Sequence, residues 1–257
     1  KLYHSGKLLK VKEIIPALMK GGCQIVFHSS THSTGHWQEI GGIGLPFLYE
    51  DEKDCQRHWR AGAPVFELIN KEMGRKYGVR VLGAGIMKGV MIASREKPLK
   101  TPEDMKGLTI RVGGKTGTEF IRACGATPIF LSSSKASKAL RHGSLDGLIT
   151  YPGTLIARNL DEVLGYFIDM KPMYSAWGYQ MYVLNKTFDS WPKAVQDIVT
   201  QAANEYDQHH LEHSLKFYRQ NIESRLKKNM KFVSPSPEQM KKFVEAADAA
   251  SALAANG

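Results

Sequence analysis

Residues 101–150 read TPEDMKGLTIRVGGKTGTEFIRACGATPIFLSSSKASKALRHGSLDGLIT, and this stretch decides the fold. Thr101, with a proline directly after it and Asp104 three positions on, predicts the start of a helix. Three apolar segments predict strands separated by helices: 108–112, 127–130 and 145–149. Strands that alternate with helices favour a mostly parallel sheet covered by those helices. We therefore predict an α/β lobe around this stretch.

Arg111 lies in the first of these strands, just before Gly113 and Gly114. Its guanidinium is therefore expected at the carboxyl end of a parallel strand, where open α/β sheets bind ligands. The planar guanidinium suits a carboxylate held by two parallel hydrogen bonds. A surface arginine in a salt bridge explains the same position equally well, so both interpretations stay open on position alone.

The chain on either side of this stretch predicts a second lobe and a long helix. Helices are predicted near 10–21 and 51–77, and residues 83–94 predict an extended segment that passes between the lobes. Apolar residues recur at helical spacing over 191–228, and a helix of that length measures roughly 55 Å. Because this exceeds the diameter of a small domain, the helix is expected to lie along both lobes.

The composition is that of a globular protein with an excess of positive charge. The 257 residues carry a net charge of +10, and no apolar run approaches the ~20 residues of a membrane-spanning helix. A positive field attracts anions, which include nucleic acids, acidic lipids and small organic acids. Basic residues are not interleaved with aromatic ones, so nucleic-acid binding is kept only as an alternative. Three cysteines without CxxC spacing exclude a zinc ribbon and leave one disulfide open.

Two short motifs match catalytic patterns, and both are rejected. The spacing HxxEH at 209–213 is that of inverted zinc peptidases, but no third ligand accompanies it, so no metal site is predicted. SxxK at 132–135 and KTG at 115–117 stand in the reverse of the order that a serine β-lactamase needs. An enzyme of hydrolase or aldolase type, with Lys115 or Lys135 as nucleophile, remains the alternative to a binding protein.

The segment 101–112, TPEDMKGLTIRV, resembles a signature of the solute-binding proteins of tripartite ATP-independent periplasmic (TRAP) transporters, the DctP-type family. Further segments resemble the family in the same order: LY at 2–3, LPFLY at 45–49, GATP at 125–128, DG at 146–147 and NKTF at 185–188. The resemblance covers nearly the whole chain. It implies two α/β lobes with mixed, mostly parallel sheets, crossing strands between the lobes and a long spine helix across both.

The resemblance also implies how the chain is divided. Lobe I is expected to take residues 1–88 and 179–218, without the first strand and helix that the family places there. Lobe II is expected to take residues 89–178 and 219–257 and to carry Arg111. By analogy with the family, a signal peptide is expected before the first residue of this chain.

In the family this arginine anchors the carboxylate of the ligand, so the resemblance implies that role for Arg111. Thr150 and Tyr151 stand where relatives carry an amide, and both offer hydroxyl groups instead. Sialic-acid binders carry a second arginine at the place of Met91, which argues against such a ligand here. The other residues expected to line the site are aromatic or polar: Trp37, Phe47, Trp177, Glu39 and Ser29. Core packing explains the aromatic residues, and a solvated loop explains the glutamate, equally well.

The resemblance implies a protein that captures a small organic acid in the periplasm and delivers it to the membrane permease subunits of a TRAP transporter. The two lobes are expected to close on the ligand by a hinge motion, which stabilises the closed state. The chain is not expected to be an enzyme, to be embedded in a membrane, or to need a metal or cofactor.

Overall fold

The computed structural model describes residues 1–3, 7–42, 44–170 and 178–255. Its strands, in chain order, are β1 (Ile25–Ser29), β2 (Val79–Ile86), β3 (Met91–Ser94), β4 (Thr109–Val112), β5 (Thr127–Phe130), β6 (Gly147–Thr150), β7 (Tyr166–Ile168), β8 (Gly178–Leu184) and β9 (Lys231–Val233). Its α-helices are α1 (Val11–Met19), α2 (Ser30–Ser33), α3 (Gln38–Gly42), α4 (Glu52–Trp59), α5 (Pro64–Tyr77), α6 (Lys115–Ala123), α7 (Ser133–Arg141), α8 (Pro152–Ala157), α9 (Asn185–Asp189), α10 (Lys193–Asn221), α11 (Glu223–Asn229) and α12 (Pro237–Ala255). Short 3-10 helices span Pro102–Met105 and Leu160–Glu162.

The described strands form two sheets. The first has the order β1-β8-β2, and β8 is antiparallel to both neighbours. The second has the order β5-β4-β6-β3-β7-β9. We call the first sheet with its helices lobe I and the second sheet with its helices lobe II. The division of the chain between the lobes at the predicted boundaries stays a prediction.

The expected two-lobed α/β architecture with mixed sheets is confirmed. In lobe II, β4 is parallel to β5 and β6 and β7 is parallel to β9, whereas β3 is antiparallel to β6 and β7. The expectation of mostly parallel sheets is wrong for the described strands of lobe I. The physical reason is that β8 returns from lobe II and enters between β1 and β2 in the opposite direction, with no crossover helix to make it parallel.

The single helix predicted over 51–77 is two helices. α4 ends at Trp59 and α5 begins at Pro64. Proline has no backbone N–H and its ring clashes with a preceding helical turn, so it starts a helix well but stops one that runs into it. Gly62, in the connection, has a φ of 84°, a left-handed conformation that glycine adopts without strain.

α10 is the long helix that the apolar spacing predicts. Its 29 residues correspond to a length of about 43 Å. Ala203 and Leu211 pack in clusters of lobe I, and Tyr218 packs in a cluster of lobe II, so the helix lies along both lobes. It ends before residue 228, because Ile222 departs from helical geometry with a φ of −117°, and α11 follows.

Two glycines of β2 allow α10 to approach closely. Asp207 of α10 accepts a hydrogen bond from the backbone N–H of Ala84 at 2.5 Å. A Cβ atom at Gly83 would lie 2.6 Å from Oδ1 of Asp207, and a Cβ atom at Gly85 would overlap the hydroxyl of Tyr206. Because any larger residue would push the helix away, both positions require glycine.

Apolar side chains cover both faces of the lobe II sheet. On β3, Ile92 belongs to one core cluster, and Met91 and Ala93 belong to another. Successive side chains of a strand point to opposite faces, so the two clusters lie on the two sides of the sheet. This double burial explains why the central strands β3 and β6 are mostly apolar and buried along their whole length.

Cys23, Cys55 and Cys124 are free thiols, so the disulfide that the sequence left open is not formed. Burial raises the pKa of the Cys124 thiol to about 12, with a further contribution from the charge of Glu103. Among the described residues, no helix combines the length and the apolar character that a membrane crossing needs.

Candidate ligand-binding site

Arg111 lies on β4, the middle one of three adjacent parallel strands. Its Nε atom donates to the carbonyl oxygen of Leu131 at 2.8 Å, and its Nη1 atom donates to that of Ile149 at 3.2 Å. Leu131 follows β5, and Ile149 lies near the end of β6, so both neighbouring strands hold the guanidinium. This position is the carboxyl edge of the parallel strands, as the sequence predicts.

The guanidinium of Arg111 is a buried positive charge. Arg111 is 7% exposed, and no described carboxylate lies within ion-pair distance of it. Burial lowers the pKa of the group to about 10, so it still carries its charge at neutral pH. The alternative interpretation, a surface arginine in a salt bridge, is therefore wrong. A guanidinium has five N–H donors, and the two hydrogen bonds to described carbonyls leave the others available to a ligand.

Gly113 keeps space open beside this group. A Cβ atom at Gly113 would lie 3.4 Å from Nη2 and 3.5 Å from Nη1 of Arg111. A longer side chain at this position would therefore extend over the two nitrogens and compete with any ligand for them. The glycine after β4 thus leaves the two nitrogens without a side chain against them on this side.

Lobe I brings α2 to the same place. Burial lowers the pKa of His32 below its ordinary value, and the positive charge of Arg111 lowers it further. Such an effect of one charge on another requires proximity, so α2 of lobe I and β4 of lobe II face each other. Ser30, the first residue of α2, is buried, and its Oγ atom has no hydrogen-bond partner among the described residues.

Gln180 lies on β8, which pairs with β1 just before the chain enters α2. It is the register partner of His28 on β1 and of Ala84 on β2. Gln180 is 1% exposed, and neither its amide nitrogen nor its amide oxygen has a partner in the described part of the chain. An amide buried in this way costs free energy until something else binds it.

His28 contributes no charge to lobe I at neutral pH. Burial is the main cause that lowers its pKa to about 4, and the neighbouring His32 contributes to the same shift. The Nδ1 atom of His28 lies 2.8 Å from the Ser33 hydroxyl, and its Nε2 atom lies 3.3 Å from the carbonyl oxygen of Val11. The side of lobe I that faces Arg111 is therefore polar and, in these groups, uncharged.

Sequence reasoning did not single out Ser30, His32 or Gln180. A signal for the first two was present in residues 28–36, HSSTHSTGH, a polar run that directly follows a strand. No comparable signal marks Gln180. Its place beside residue 28 depends on the pairing of β1 with β8, two strands that are far apart in the chain.

Thr150 and Tyr151 lie where β6 ends, directly after Ile149. Thr150 is buried, and the hydroxyl of Tyr151 is buried without a hydrogen-bond partner among the described residues. Burial raises the pKa of Tyr151 well above its ordinary value, so the hydroxyl keeps its proton and can donate. Met91 is the register partner of Thr150 but is 3% exposed and packs within the core of lobe II. Met91 is thus a core residue of lobe II, and its expected place in the lining of the site stays a prediction.

Trp37 and Glu39 are occupied within lobe I. Trp37 is 2% exposed, and its ring centroid lies 4.7 Å from that of Tyr182 in the lobe I core, so core packing is the correct interpretation. Glu39 forms an ion pair with Lys76. Burial raises the pKa of the Glu39 carboxyl, but the hydrogen bond and charge of Lys76 outweigh this, so the pKa lies below its ordinary value. The interpretation of Glu39 as a solvated loop carboxylate is therefore wrong. The pair uses its Oε1 atom, and its Oε2 atom is buried without a hydrogen-bond partner among the described residues, so its expected contact with a ligand stays a prediction.

Phe47 connects the lobes. It belongs to the chain range expected in lobe I, yet its ring packs against the lobe II core, edge-on to Phe120 at 6.1 Å. Its φ of 59° is unusual for a residue other than glycine. Ser29 ends β1, and its carbonyl oxygen accepts a hydrogen bond from the Ser33 hydroxyl at 3.1 Å. Trp177 lies outside the described residues.

Lys88 and Glu52 fix the segment that crosses from β2 to β3. The Glu52 Oε1 atom accepts hydrogen bonds from Nζ of Lys88 and from the backbone N–H of Gly89, both at 3.0 Å. The backbone N–H of Lys88 donates to the Ser214 hydroxyl of α10 at 3.2 Å. The crossing segment is thus attached to α4 and to the spine helix at the point where the chain leaves lobe I.

The structure gives no support to a lysine nucleophile. Lys135 is exposed on α7, whereas a lysine nucleophile is activated by desolvation in an apolar pocket. The side chain of Lys115 lies outside the described part of the structure. The HxxEH residues at 209–213 begin and end on exposed positions of α10. Within the described residues, no group of metal-binding side chains comes together.

Solved structures share this fold. A TRAP periplasmic solute-binding protein from Pseudomonas aeruginosa, with bound L-malate, matches with a TM-score of 0.84 and 20% identity and covers 97% of this chain and 86% of its own. One from Sulfitobacter, with bound β-D-galacturonate, matches with a TM-score of 0.87 and 19% identity and covers 100% of this chain and 84% of its own. At these identities the likeness establishes the fold.

Sequence comparison identifies the family. A curated solute-binding protein of Albidiferax ferrireducens is 25% identical over 215 residues, which is 82% of this chain and 62% of that protein. The chain spans between 51% and 62% of the length of the curated relatives that it matches. The family model described as "Bacterial extracellular solute-binding protein, family 7" (DctP) matches residues 1–255. This chain therefore belongs to the DctP family of bacterial extracellular solute-binding proteins.

Proposed function

We propose that this chain binds a small organic acid between its two lobes and presents it, in the periplasm, to the membrane permease subunits of a TRAP transporter. The observation that carries the proposal is the buried guanidinium of Arg111, which the described residues leave without a counter-ion. A carboxylate would supply the missing charge and accept two parallel hydrogen bonds from the free nitrogens. The malate and galacturonate bound by proteins of the same fold are both carboxylates.

Arg111 is suited to this role because the main chain already fixes its orientation. Carbonyl oxygens on both sides hold its Nε and Nη1 atoms, so little side-chain entropy is lost when a ligand binds. A cation without a counter-ion in a buried setting is unfavourable, and a bound carboxylate relieves this cost. The affinity of the site is therefore expected to depend on this one residue more than on any other.

Thr150 and Tyr151 complete the lobe II side of the proposed site. Both stand at the end of the strand whose Ile149 carbonyl holds the guanidinium. The Tyr151 hydroxyl keeps its proton and has no described partner, so it is available to donate to a carboxylate oxygen. Affinity without turnover is the expected behaviour, since nothing in this arrangement activates a nucleophile.

A thermal-shift titration over small organic acids tests the proposal. A bound acid stabilises the chain by RT ln(1 + [L]/Kd), about 2.7 kcal/mol at a hundredfold excess over Kd. Arg111→Gln is expected to weaken binding more than about 100-fold, and Arg111→Lys, which keeps the charge but loses the planar fork, by less.

Arg122→Gln is the matched control, because Arg122 is an exposed arginine of the same lobe that pairs with Glu119. This variant is expected to bind acids as the wild type does. The proposal is wrong if no organic acid raises the melting temperature. It is also wrong if Arg111→Gln binds with unchanged affinity.

A further inference from the structure

We propose that lobe I recognises hydroxyl groups of the ligand through Gln180, Ser30 and His32, so that the solute is a hydroxylated monocarboxylate of the hydroxy-acid or sugar-acid class. This inference rests on the function proposed above, because it assigns the carboxylate to Arg111 and the rest of the ligand to lobe I. It concerns which acid binds, whereas the proposal above concerns only that an acid binds.

The three residues are brought together by the pairing of β1 with β8. Gln180 is the register partner of His28, and the chain passes from β1 directly into α2, which begins at Ser30 and carries His32. α2 packs against both β1 and β8. The charge effect of Arg111 on His32 requires proximity, so α2, which carries both His32 and Ser30, lies near the proposed anchor of the carboxylate.

Two of these groups are buried and lack partners. Both amide atoms of Gln180 and the hydroxyl of Ser30 have no hydrogen bond to any described residue. Each unsatisfied group of this kind costs about 1–3 kcal/mol, and native proteins retain few of them. Two such residues, on elements that contact each other and of which α2 lies near a buried cation, indicate that a polar ligand supplies the missing hydrogen bonds.

The chemistry of these groups fits hydroxyls better than a second carboxylate. An amide both donates and accepts, and a hydroxyl group of a ligand also does both, whereas an ionised carboxylate only accepts. A second carboxylate would also need a positive charge. Burial keeps the pKa values of His28 and His32 below their ordinary values, so both imidazoles are neutral at pH 7.5.

Two lysines of lobe I, which could otherwise supply such a charge, already form ion pairs. Lys88 binds Glu52, and Lys76 binds Glu39. A dicarboxylate would therefore have to draw a proton onto a buried imidazole or break one of these pairs. Either change costs free energy that a neutral hydroxyl does not.

Two sets of acids with matched carbon number test the inference by calorimetry or thermal shift at pH 7.5. The four-carbon set is threonate, butyrate and succinate, and the six-carbon set is gluconate, hexanoate and adipate. In the set that binds, the hydroxylated monocarboxylate is expected to bind about 100-fold or more tightly than the acid without hydroxyls, because the polar groups of the site would otherwise stay unpaired.

Gln180→Met and Ser30→Ala separate the lobe I groups from the anchor. Each is expected to weaken the hydroxylated acid about tenfold or more and to leave the acid without hydroxyls unchanged. Replacing an unsatisfied buried amide by an apolar side chain of similar size is also expected to keep or raise the melting temperature of the free chain, so Gln180→Met should fold. Gln201→Met, at an exposed position of α10, is the control and should change neither measurement.

The outcomes distinguish this inference from the proposed function. If succinate or adipate binds most tightly and Arg111→Gln abolishes that binding, the function stands and the inference is wrong. Unchanged affinity of Gln180→Met and Ser30→Ala for the hydroxylated acid also overturns the inference alone. If no acid binds the wild-type chain, both fail.

Discussion

In lobe II the buried guanidinium of Arg111 donates to two main-chain carbonyls, whereas in lobe I the amide of Gln180 and the hydroxyl of Ser30 meet no partner among the described residues. The first group carries a charge, and the others are neutral. The main chain thus orients the charged group before any ligand arrives, while the neutral groups keep their hydrogen-bonding capacity for the ligand. This difference indicates that lobe II supplies most of the affinity and lobe I most of the selectivity.

The two lobes also differ in what holds their inner faces in place. The orientation of the Arg111 side chain depends on the register of β4 with its two parallel neighbours, β5 and β6. The position of Gln180 depends on the lobe I sheet, and this sheet packs closely against α10 at Gly83 and Gly85. Lobe I is therefore expected to be the more sensitive of the two to changes in helix packing.

The largest effect is expected from Gly85→Ala, which tests this dependence on the spine helix. The new methyl group would overlap the Tyr206 hydroxyl, so the Tyr206 side chain of α10 would have to leave its position against β2 and lose its hydrogen bond to the carbonyl oxygen of Tyr179. We expect the free energy of unfolding to fall by about 3 kcal/mol or more, measured by urea denaturation. Gly35→Ala is the control, because a Cβ atom there meets nothing within 4 Å. Equal loss in both variants would contradict the role of close packing.

A smaller effect, in the pH dependence of stability, tests whether the inner face of lobe I is neutral. The folded-state pKa of His28, about 4, lies below its ordinary value of 6.5, so between these values the unfolded chain binds more protons than the folded one. The free energy of unfolding is therefore expected to fall as the pH drops from 6.5 to 4, by roughly 1.4 kcal/mol for each unit of pKa shift.

His28→Gln removes this contribution, so the stability of the variant should depend less on pH over the same interval. The measurement is urea denaturation at a series of pH values from 4 to 7.5. His142→Gln, at an exposed position on lobe II, provides the control and should keep the wild-type slope. If His28→Gln also keeps that slope, His28 is not a neutral buried group.

The smallest effect is expected from substitutions at Gly113, which test whether the space beside Arg111 in lobe II contributes to affinity. Gly113→Ala and then Gly113→Val place increasing bulk beside Nη1 and Nη2 of Arg111. We expect the affinity for organic acids to fall in that order, by about tenfold for valine, with little change in melting temperature. A loss of affinity that is the same for both variants would argue against steric competition at the guanidinium.

Much of the local structure was predictable, because it depends on residues that are close in the chain. The strand predicted over 127–130 is found as β5 with the same bounds. The predicted cap at Thr101 is present, with the Asp104 carboxylate accepting a hydrogen bond from its backbone N–H at 2.9 Å. The break between α4 and α5 was also visible in principle at Pro64, but the apolar spacing on both sides concealed it.

The candidate site was predictable only in part. Arg111 was placed correctly, since the end of a parallel strand can be recognised from the order of strands and helices. Trp37, Glu39 and Met91 have side chains suited to ligand contact. In the structure, however, Trp37 packs in the core of lobe I, Met91 packs in the core of lobe II, and Glu39 forms an ion pair with Lys76. Their chemical type is encoded locally, but the neighbours that occupy them come from other parts of the chain.

The sequence by itself determined the α/β class, the long helix and the exit of Arg111 at the carboxyl edge of its sheet. Each of these follows from spacing within a few turns or strands. The tertiary structure alone brings His32 near this arginine, buries Ser30 and Gln180 without described partners, and leaves the arginine without a described counter-ion. The physical reason is that β8 pairs with β1 after the chain has passed through the whole of lobe II, and no local preference specifies what lies across a cleft between two lobes.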